Sequence, residues 1–366
     1  MQCSSLYRIE VEQTDFVDLS QDIVQLTASL VDVPSESGSE GPLADMVEAA
    51  VRQISGLTVT RVGNNVVAQT QLGRRERVLI GGHLDTVPSA GNLPHTLSEG
   101  VISGLGSCDM KGGVAVSLKL ARQLVEPNRD VTFVYYECEE VEAERNGLAR
   151  LARDTPELLA ADFAVLMEPS NAVVEAGCQG TLRAVVAVPG RRAHSARSWM
   201  GRNAVHDAID VLQRLLDYQP QRVQIDGLEY REGLNAVGIS GGIAGNVIPD
   251  FCEVVVNYRF APNLSVSQAK QHVVEVFSGY QVAFVDEAPG ALPGLQRPAA
   301  ADFVAAVGAT PQPKLGWTDV ARFSEIGVPA VNFGPGDPTL AHAPNEHVPI
   351  SDLVACERIM MQWLTG

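Results

Sequence analysis

The sequence has few of the features that tie a protein to a membrane or to nucleic acid. No apolar run approaches the roughly 20 residues that a membrane-spanning helix needs. Cationic residues are scarce, with 27 Lys and Arg against 44 Asp and Glu, and the formal net charge is -17. Such a charge repels a phosphate backbone, so the composition argues against nucleic-acid binding.

The sequence also lacks a cysteine pattern with chemical meaning. None of its six cysteines belongs to a CxxC pair, which argues against a thiolate zinc site and against a redox motif. In a chain of 366 residues they are typical of reduced, mostly buried thiols. The first residues, MQCSSLYRIEVEQ, carry charges where a signal peptide needs an apolar run. We therefore expect a cytoplasmic protein.

What the sequence does contain is an alternation of strand and helix patterns over a length that favours two domains. In most of the chain, apolar strands alternate with helices, which predicts an α/β domain with a mixed sheet covered on both faces. Between residues 180 and 290 the order becomes β-α-β-β-α-β, as in a ferredoxin-like α+β sandwich. The prediction is a catalytic domain of residues 1–179 and 291–366, interrupted by an inserted lid or dimerisation domain of residues 180–290.

Five short motifs place potential metal ligands at the ends of predicted strands or in loops. The first, GHLDTVP at 82–88, contains His83 and Asp85. A metal-bound imidazole needs an acceptor for its second nitrogen, and a residue two positions later on an extended segment lies on the same side. Asp85 can therefore orient His83, although an HxD pattern alone is equally compatible with a surface turn.

The second motif, GLGSCDMKGG at 104–113, precedes a predicted helix and is centred on Asp109. Its glycines suggest a phosphate-binding loop, but neither GxGxxG nor GxxxxGK[ST] is present, which also argues against a dinucleotide-binding oxidoreductase. Asp109 can bridge two metal ions. As an alternative, it can be a simple helix N-cap.

The other three motifs add carboxylates and a histidine. YECEEVE at 136–142 follows an apolar strand and contains Glu139 and Glu140, of which one can bind metal while the other holds a water. A solvated acidic turn is the alternative. Glu168, in MEPS, ends another apolar strand, where a glutamate packs poorly unless it is paired or binds something. His342, in AHAPNEH, is a candidate ligand. As an alternative, it can be a loop histidine whose hydrogen bonds are made within the protein.

Together the motifs supply two histidines and three carboxylates: His83, Asp109, Glu140, Glu168 and His342. Such ligands suit Zn²⁺, with Co²⁺ or Mn²⁺ as substitutes. One bridging aspartate and two further ligands per ion leave an open position on each ion for water and substrate. Two ions about 3.5–4 Å apart can hold both the attacking and the developing oxygen of a hydrolysis reaction.

In order and approximate spacing, GHLDTVP, GxGxxDMKGG, the Glu-Glu pair, MEPS and AHxPNE resemble the motifs of the dizinc aminoacylase and carboxypeptidase family of metallopeptidases. The resemblance covers essentially the whole chain. It implies a zinc-peptidase-like catalytic domain, two zinc ions per subunit and a homodimer formed through the lid. It also implies a cis peptide bond between Asp109 and Met110.

The resemblance assigns each ligand to one of the two ions. His83, Asp109 and Glu168 are expected to hold one zinc ion. Asp109, Glu140 and His342 are expected to hold the other, so that Asp109 is shared.

Three further residues correspond to catalytic positions of the family. Glu139 resembles the general base that takes a proton from the attacking water, and Asp85 resembles the carboxylate behind His83. RRAHS at 191–195 is similar to a family segment whose histidine stabilises the oxyanion in the other subunit's active site, which implies this role for His194. Without the resemblance, His194 would be interpreted as an exposed loop histidine.

Within the family, CEEVEAERNGL and GWTDVARF resemble actinobacterial members that remove a succinyl group from an amino-acid nitrogen. The implied reaction converts N-succinyl-LL-2,6-diaminopimelate into succinate and LL-2,6-diaminopimelate, in diaminopimelate and lysine biosynthesis. The alternative is another N-acyl-amino-acid deacylase, such as an acetylornithine deacetylase, or a dipeptidase. A binding protein without activity would be expected to have lost Glu139 or a metal ligand, and all are present.

The carboxylates of such a substrate need cationic or amide partners. Candidates are Arg259, Asn246 and Arg322, although Arg259 can equally be paired with an acid of the protein. Where better-known members have Arg-Arg-Gly at the start of the lid, this chain has Cys178-Gln179-Gly180. The chain therefore lacks the arginine pair that better-known members have at this position.

Overall fold

The structure is a computed structural model and describes residues 17–366. The N-terminal segment on which the expectation of a cytoplasmic location rests, together with Cys3, lies outside the described residues. Within 17–366, no helix is long and apolar enough to cross a membrane. The cysteines of this part are free and buried, as predicted: Cys108, Cys138, Cys178, Cys252 and Cys356.

Several helices begin at a side chain that caps them. In residues 17–366 the α-helices are α1 (Ile23–Val31), α2 (Gly41–Arg52), α3 (Gly112–Gln123), α4 (Gly147–Asp154), α5 (Ala204–Asp217), α6 (Val266–Val276), α7 (Pro298–Val307), α8 (Val320–Glu325) and α9 (Ile350–Thr365). Asp22, Asn146 and Asn203 each accept a hydrogen bond from a backbone N–H of the following first turn. Ser265 forms a capping box with Gln268 at the start of α6.

The largest sheet is mixed and has eight strands. In spatial order they are β1 (Leu57–Val62), β2 (Asn65–Thr70), β6 (Asp130–Tyr136), β3 (Arg77–His83), β7 (Phe163–Leu166), β18 (Ala330–Asn332), β8 (Glu175–Ala176) and β17 (Gln312–Pro313). The central strands β6, β3, β7 and β18 are parallel to one another. Because parallel neighbours end at the same edge of a sheet, the segments that follow them are brought together there.

Helices cover both faces of this sheet, which confirms the predicted fold class. Along β6, Val131, Phe133 and Tyr135 belong to a core shared with α1, α2, α3, α7 and α9. Val134 and Tyr136 belong to a second core shared with α4 and α8. Alternate residues of a strand point to opposite faces, so a strand buried on both faces is apolar almost throughout.

The start of α3 packs unusually close to the end of β7. A Cβ atom at Gly113 would lie 2.1 Å from the carbonyl oxygen of Met167, so only glycine fits at this position. Met167 directly precedes Glu168, and Gly113 follows the Asp109 turn. The glycine therefore sets how closely these two predicted ligand-bearing segments approach each other.

The predicted lid contains a four-stranded antiparallel sheet. In spatial order its strands are β13 (Gly233–Gly241), β15 (Phe251–Phe260), β9 (Gly180–Pro189) and β16 (Gln281–Ala288). The helices α5 and α6 pack on its apolar face. The chain order β9-α5-β13-β15-α6-β16 follows the predicted β-α-β-β-α-β pattern.

The sequence analysis did not predict the hairpin of β11 (Arg222–Ile225) and β12 (Leu228–Arg231), which lies between α5 and β13. Its Leu228 and Tyr230 pack into the core of the large sheet. Smaller pairings involve β4 (Thr96–Ser98), β5 (Val101–Ser103), β10 (Ala193–His194), β14 (Val247–Ile248) and β19 (His347–Pro349).

Candidate dinuclear metal site

The predicted metal ligands meet at the carboxyl edge of the large sheet. His83 is the last residue of β3, Glu140 follows β6 and Glu168 follows β7. Asp109 lies in the short turn directly before α3, and His342 lies in the loop between β18 and β19. Residues that are far apart in the sequence are therefore brought together by strands that end side by side.

The donor atoms of these side chains form two overlapping groups. Atoms of His83, Asp109 and Glu168 all lie within 4.8 Å of one another, and so do atoms of Asp109, Glu140 and His342. His83 Nε2 is 3.1 Å from Asp109 Oδ1, while His342 Nε2 is 3.4 Å from Asp109 Oδ2. His342 Nε2 is also 2.9 Å from Glu140 Oε1. One oxygen of Asp109 thus faces each histidine, as expected of a bridging carboxylate.

Two observations support metal binding by this donor set. Glu168 Oε1 is buried and has no hydrogen-bond partner among the described residues, which is costly unless a ligand binds there. A tetrahedral zinc ion with bonds of about 2.0–2.2 Å keeps its ligand atoms roughly 3.3–3.6 Å apart, close to the spacings around Asp109. Imidazole nitrogens and carboxylate oxygens are donors that Zn²⁺, Co²⁺ and Mn²⁺ accept.

The same crowding perturbs the acid–base behaviour of the site. Burial, and secondly the Asp109 carboxylate, raise the pKa of Glu168 to about 8. Burial raises the pKa of Glu139 well above its ordinary value, with a further contribution from Asp319 and an opposing one from His83. Hydrogen bonds with Asp109 and then Glu140 raise the pKa of His342 to about 10. Without a cation, the site retains protons that a metal ion would displace.

The contacts of Asp85 differ in part from the predicted role, in which its carboxylate orients His83. His83 Nδ1 lies 3.0 Å from the backbone carbonyl oxygen of Asp85 and 3.5 Å from the carboxylate Oδ1, so the closer partner is the backbone. The carboxylate instead accepts hydrogen bonds from the backbone N–H groups of Glu139 and Glu140, each at 3.0 Å. It also accepts one from the Ser37 hydroxyl at 2.7 Å. Through its backbone and its carboxylate together, Asp85 therefore links the end of the strand that contains His83 to the loop that contains Glu139 and Glu140.

Glu346 was not among the predicted site residues, although it lies in the AHAPNEH motif. Glu346 is buried, and its Oε1 accepts hydrogen bonds from the backbone N–H groups of Cys108 at 3.0 Å and Asp109 at 3.1 Å. It thereby joins the loop that contains His342 to the turn that contains Asp109. Its position four residues after a candidate ligand was the only available signal.

The Asp109–Met110 peptide bond is cis, as expected.

A cleft of about 1130 Å³ lies between the loop that contains Glu139 and Glu140 and the predicted lid. Glu139, Glu140, Arg259 and Arg322 are among its lining residues. Burial lowers the pKa of Arg259, and its guanidinium forms no hydrogen bond or ion pair with any residue in the described range. The acidic partner that was the alternative for Arg259 is therefore not observed there.

Arg322 is held in a fixed orientation at the cleft. Its Nε donates a hydrogen bond to the buried Asp319 Oδ1 at 2.7 Å, and its guanidinium lies over the Trp317 ring at 5.3 Å. Asp319 also accepts hydrogen bonds from the Asn146 side chain at 3.0 and 3.2 Å. The other guanidinium nitrogens remain available to an anionic ligand.

The structure does not bring His194 and Asn246 to the cleft of the same chain. Both are exposed and absent from the cleft lining. They are neighbours within the predicted lid, where His194 pairs with Val247 across two short strands and Ser195 N donates to Asn246 O at 2.9 Å. Within one chain, these two residues form a separate surface.

Cys178 and Gln179, which replace the arginine pair of better-known members, are also absent from the cleft lining. Both side chains are buried. The Gln179 amide donates a hydrogen bond to the Arg231 carbonyl oxygen at 2.8 Å. Their observed contacts are therefore within the protein, and Arg259 and Arg322 are the arginines of the candidate set that face the cleft.

We predict that Glu168→Gln flattens the pH dependence of stability in the metal-free protein. Folded Glu168 keeps its proton up to about pH 8, whereas the unfolded chain releases it near the ordinary value of 4.5. Stability from this difference is complete below about pH 4.5 and is lost as the pH rises towards 8. We therefore expect the free energy of unfolding, measured with urea in the presence of a chelator, to fall less between about pH 5.5 and about pH 8.5 for the variant than for the wild type.

Glu157→Gln, at an exposed position, is the matched control and should behave like the wild type. Equal losses of unfolding free energy in wild type and Glu168→Gln would contradict the raised pKa of Glu168.

Comparison with known proteins identifies the family. Residues 79–365 match the family model of peptidase family M20/M25/M40. The chain is 53% identical over 353 residues to a Mycobacterium tuberculosis protein that bears the name "Putative succinyl-diaminopimelate desuccinylase DapE", with 96% of this chain and 100% of that protein covered. It is 45% identical over 360 residues to the succinyl-diaminopimelate desuccinylase of Corynebacterium glutamicum, with 95% of this chain and 98% of that protein covered.

The crystal structure of a Staphylococcus aureus tripeptidase superposes with a TM-score of 0.76 at 21% identity, covering 95% of this chain and 98% of that one. The chain therefore belongs to peptidase family M20/M25/M40, and it is a metal-dependent hydrolase.

Proposed function

We propose that this chain hydrolyses N-succinyl-LL-2,6-diaminopimelate to succinate and LL-2,6-diaminopimelate. Two relatives that match almost the whole chain carry the name of this activity. The observation in the structure that supports the proposal best is Arg259, a half-buried cation at the cleft that has no anionic partner among the described residues. The substrate has three carboxylates, and Arg259 and Arg322 together offer two cationic contacts to them.

We propose that the cofactors are two zinc ions. One would be held by His83, Asp109 and Glu168, and the other by Asp109, Glu140 and His342, because donor atoms converge in both of these groups and the groups share Asp109. When bound, the ions would supply the positive charge that polarises the amide carbonyl and acidifies water. The bound ion would also give a partner to the Glu168 oxygen that has none among the described residues.

Glu139 is the proposed general base. It lines the cleft beside the candidate ligand Glu140, and its own side chain forms no hydrogen bond with another described residue. Burial raises the pKa of Glu139, which strengthens it as a proton acceptor. Glu139 takes a proton from the attacking water and then gives it to the leaving nitrogen, because an amine leaves poorly unless it is protonated. One carboxyl group thus serves as base and then as acid.

We also propose a homodimer that forms through the lid. Strand β13 is an edge of the lid sheet, and its Val237 and Ile239 are exposed, as are Ile209 and Leu216 of the neighbouring α5. An exposed apolar edge strand favours pairing with another chain. A second subunit would supply His194 and Asn246, which do not reach the cleft of their own chain. We place this dimer in the cytoplasm, which the free, buried cysteines support.

A substrate comparison tests the proposed reaction. The zinc-loaded protein should hydrolyse N-succinyl-LL-2,6-diaminopimelate with a higher kcat/KM than acetylornithine or a dipeptide, because only the first has three carboxylates that Arg259 and Arg322 can contact. Succinate release and amine release should be equal in amount. A higher kcat/KM for acetylornithine would overturn the proposal in favour of the alternative deacylase.

Glu139→Gln should lose most of kcat while keeping both zinc ions. The amide retains the shape of the side chain but cannot accept the proton, so kcat should fall on the order of 10²–10⁴-fold or more. Glu140→Gln is the matched comparison on the adjacent residue and should instead weaken binding of one ion. Turnover close to wild type in fully loaded Glu139→Gln would show that the base is wrong and would direct attention to Glu137 or Glu142.

Mixed dimers test whether His194 acts across the subunit interface. His194→Ala and Glu139→Gln should each be nearly inactive alone. When the two variants are co-expressed, random pairing should restore about a quarter of the wild-type sites, because half of the dimers would contain one complete site. Light scattering should show a dimer in every preparation. A co-expressed mixture as inactive as its parents, or a monomer at micromolar concentration, would contradict this arrangement.

A further inference from the structure

Four successive backbone N–H groups after β6 are bound by side chains from other parts of the fold. They belong to the segment Glu137–Glu140, which contains the proposed base. Asn65 Oδ1 accepts from the first at 3.1 Å, Glu40 Oε1 from the second at 3.1 Å, and the two oxygens of Asp85 from the third and fourth at 3.0 Å each. The direction of this segment is therefore set by side chains that are distant in sequence.

Cys138 is the residue at which this segment turns. Its φ is 56°, in the left-handed region that non-glycine residues rarely adopt without support from their surroundings. Its side chain is buried, and its Sγ lies 3.4 Å from Glu40 Oε1. The turn brings Glu139, the next residue, to the cleft. Contacts that hold the Cys138 backbone therefore control where the Glu139 carboxylate lies.

Glu40 is an unusual side chain in the middle of the fold. It is fully buried, it forms no salt bridge with any residue of the described range, and its Oε2 has no hydrogen-bond partner there. Its Oε1 accepts from the backbone N–H groups of Cys138 and of Gly38, the latter at 2.7 Å. A buried carboxylate without a cation is unfavourable for stability. Its contacts instead connect the start of α2 to the turn at Cys138.

We propose that Glu40 is a positioning residue for catalysis. By holding the Cys138 N–H, it maintains the left-handed turn and thereby places Glu139 for proton transfer at the cleft. Glu40 lies outside both groups of candidate metal ligands that converge on Asp109. Its removal should therefore disturb the direction of Glu139 more than metal binding. The inference rests on the proposed function, since it assumes that Glu139 is the base.

The test compares Glu40→Ala, Glu40→Gln and Glu40→Asp with the wild type. Rates on N-succinyl-LL-2,6-diaminopimelate are measured with the zinc-loaded proteins and expressed per metal-loaded site. In Glu40→Ala, kcat should fall roughly 10–100-fold with KM nearly unchanged, because a displacement of about 1 Å at a catalytic group costs on that order. Glu40→Gln keeps an acceptor oxygen at the same distance and should recover most of kcat. Glu36→Ala, an exposed glutamate of the same loop, is the matched control and should equal the wild type.

A purely structural role would lower the melting temperature or the folded fraction without changing kcat per metal-loaded site. Wild-type kcat per loaded site in Glu40→Ala would therefore overturn the inference. If Glu40→Ala does not fold, Glu40→Asp decides the question, because it keeps the charge and withdraws the acceptor oxygen from the Cys138 N–H. Its kcat should fall, and an unchanged kcat would overturn the inference.

The proposed function and the inference about Glu40 would be contradicted by different results. A wild-type protein that does not hydrolyse the succinyl substrate would contradict the proposed function. If it hydrolyses another acyl amino acid, the same comparison of Glu40 variants on that substrate still tests the role of Glu40. A wild-type protein that is active on the succinyl substrate, together with a fully active Glu40→Ala, would contradict only the inference about Glu40.

Discussion

The concentration of negative charge at one edge of the large sheet is the constraint on which the rest of the site depends. Asp109, Glu140 and Glu168 bring carboxylate oxygens close to one another, with Glu139 beside them and with His83 and His342 in contact with this group. Burial above all, with neighbouring carboxylates adding to it, raises the pKa values of Glu139 and Glu168, so without metal these two carboxyl groups hold protons more strongly. Divalent cations relieve the same repulsion without removing the basic oxygen that the proposed reaction needs.

Holding such a cluster together requires that its loops be fixed by contacts other than those of the ligands. Asp85 and Glu346 provide them, since each is buried and each accepts two backbone N–H groups from a loop that contains a candidate ligand. Glu40 makes the same kind of contact one residue before Glu139. Backbone N–H groups bind these acids without adding cations that would compete for the metal ligands. The candidate ligands and the base are thereby positioned before a metal ion or a substrate arrives.

Sequence patterns predicted the features that are local in the chain. His83, Glu140 and Glu168 were found because each lies at or just after an apolar strand, and parallel strands end together. Glu40 and Asn65 could not be found in this way, because their partners are backbone N–H groups 98 and 72 positions later in the chain. The β11–β12 hairpin was missed although its sequence, RVQIDGLEYR, alternates apolar and polar residues around an Asp-Gly turn, which is typical of a hairpin. The positions of His194 and Asn246 depend on a second subunit in our proposal, and one chain cannot define them.

Anomalous diffraction at the zinc absorption edge, on crystals of the zinc-loaded protein, tests the central claim most directly. The account predicts two peaks about 3.5–4 Å apart, with Asp109 between them. One peak should lie beside His83 and Glu168, and the other beside Glu140 and His342. A single peak, or a second peak that is not in contact with Asp109, would contradict a shared carboxylate as the centre of this site.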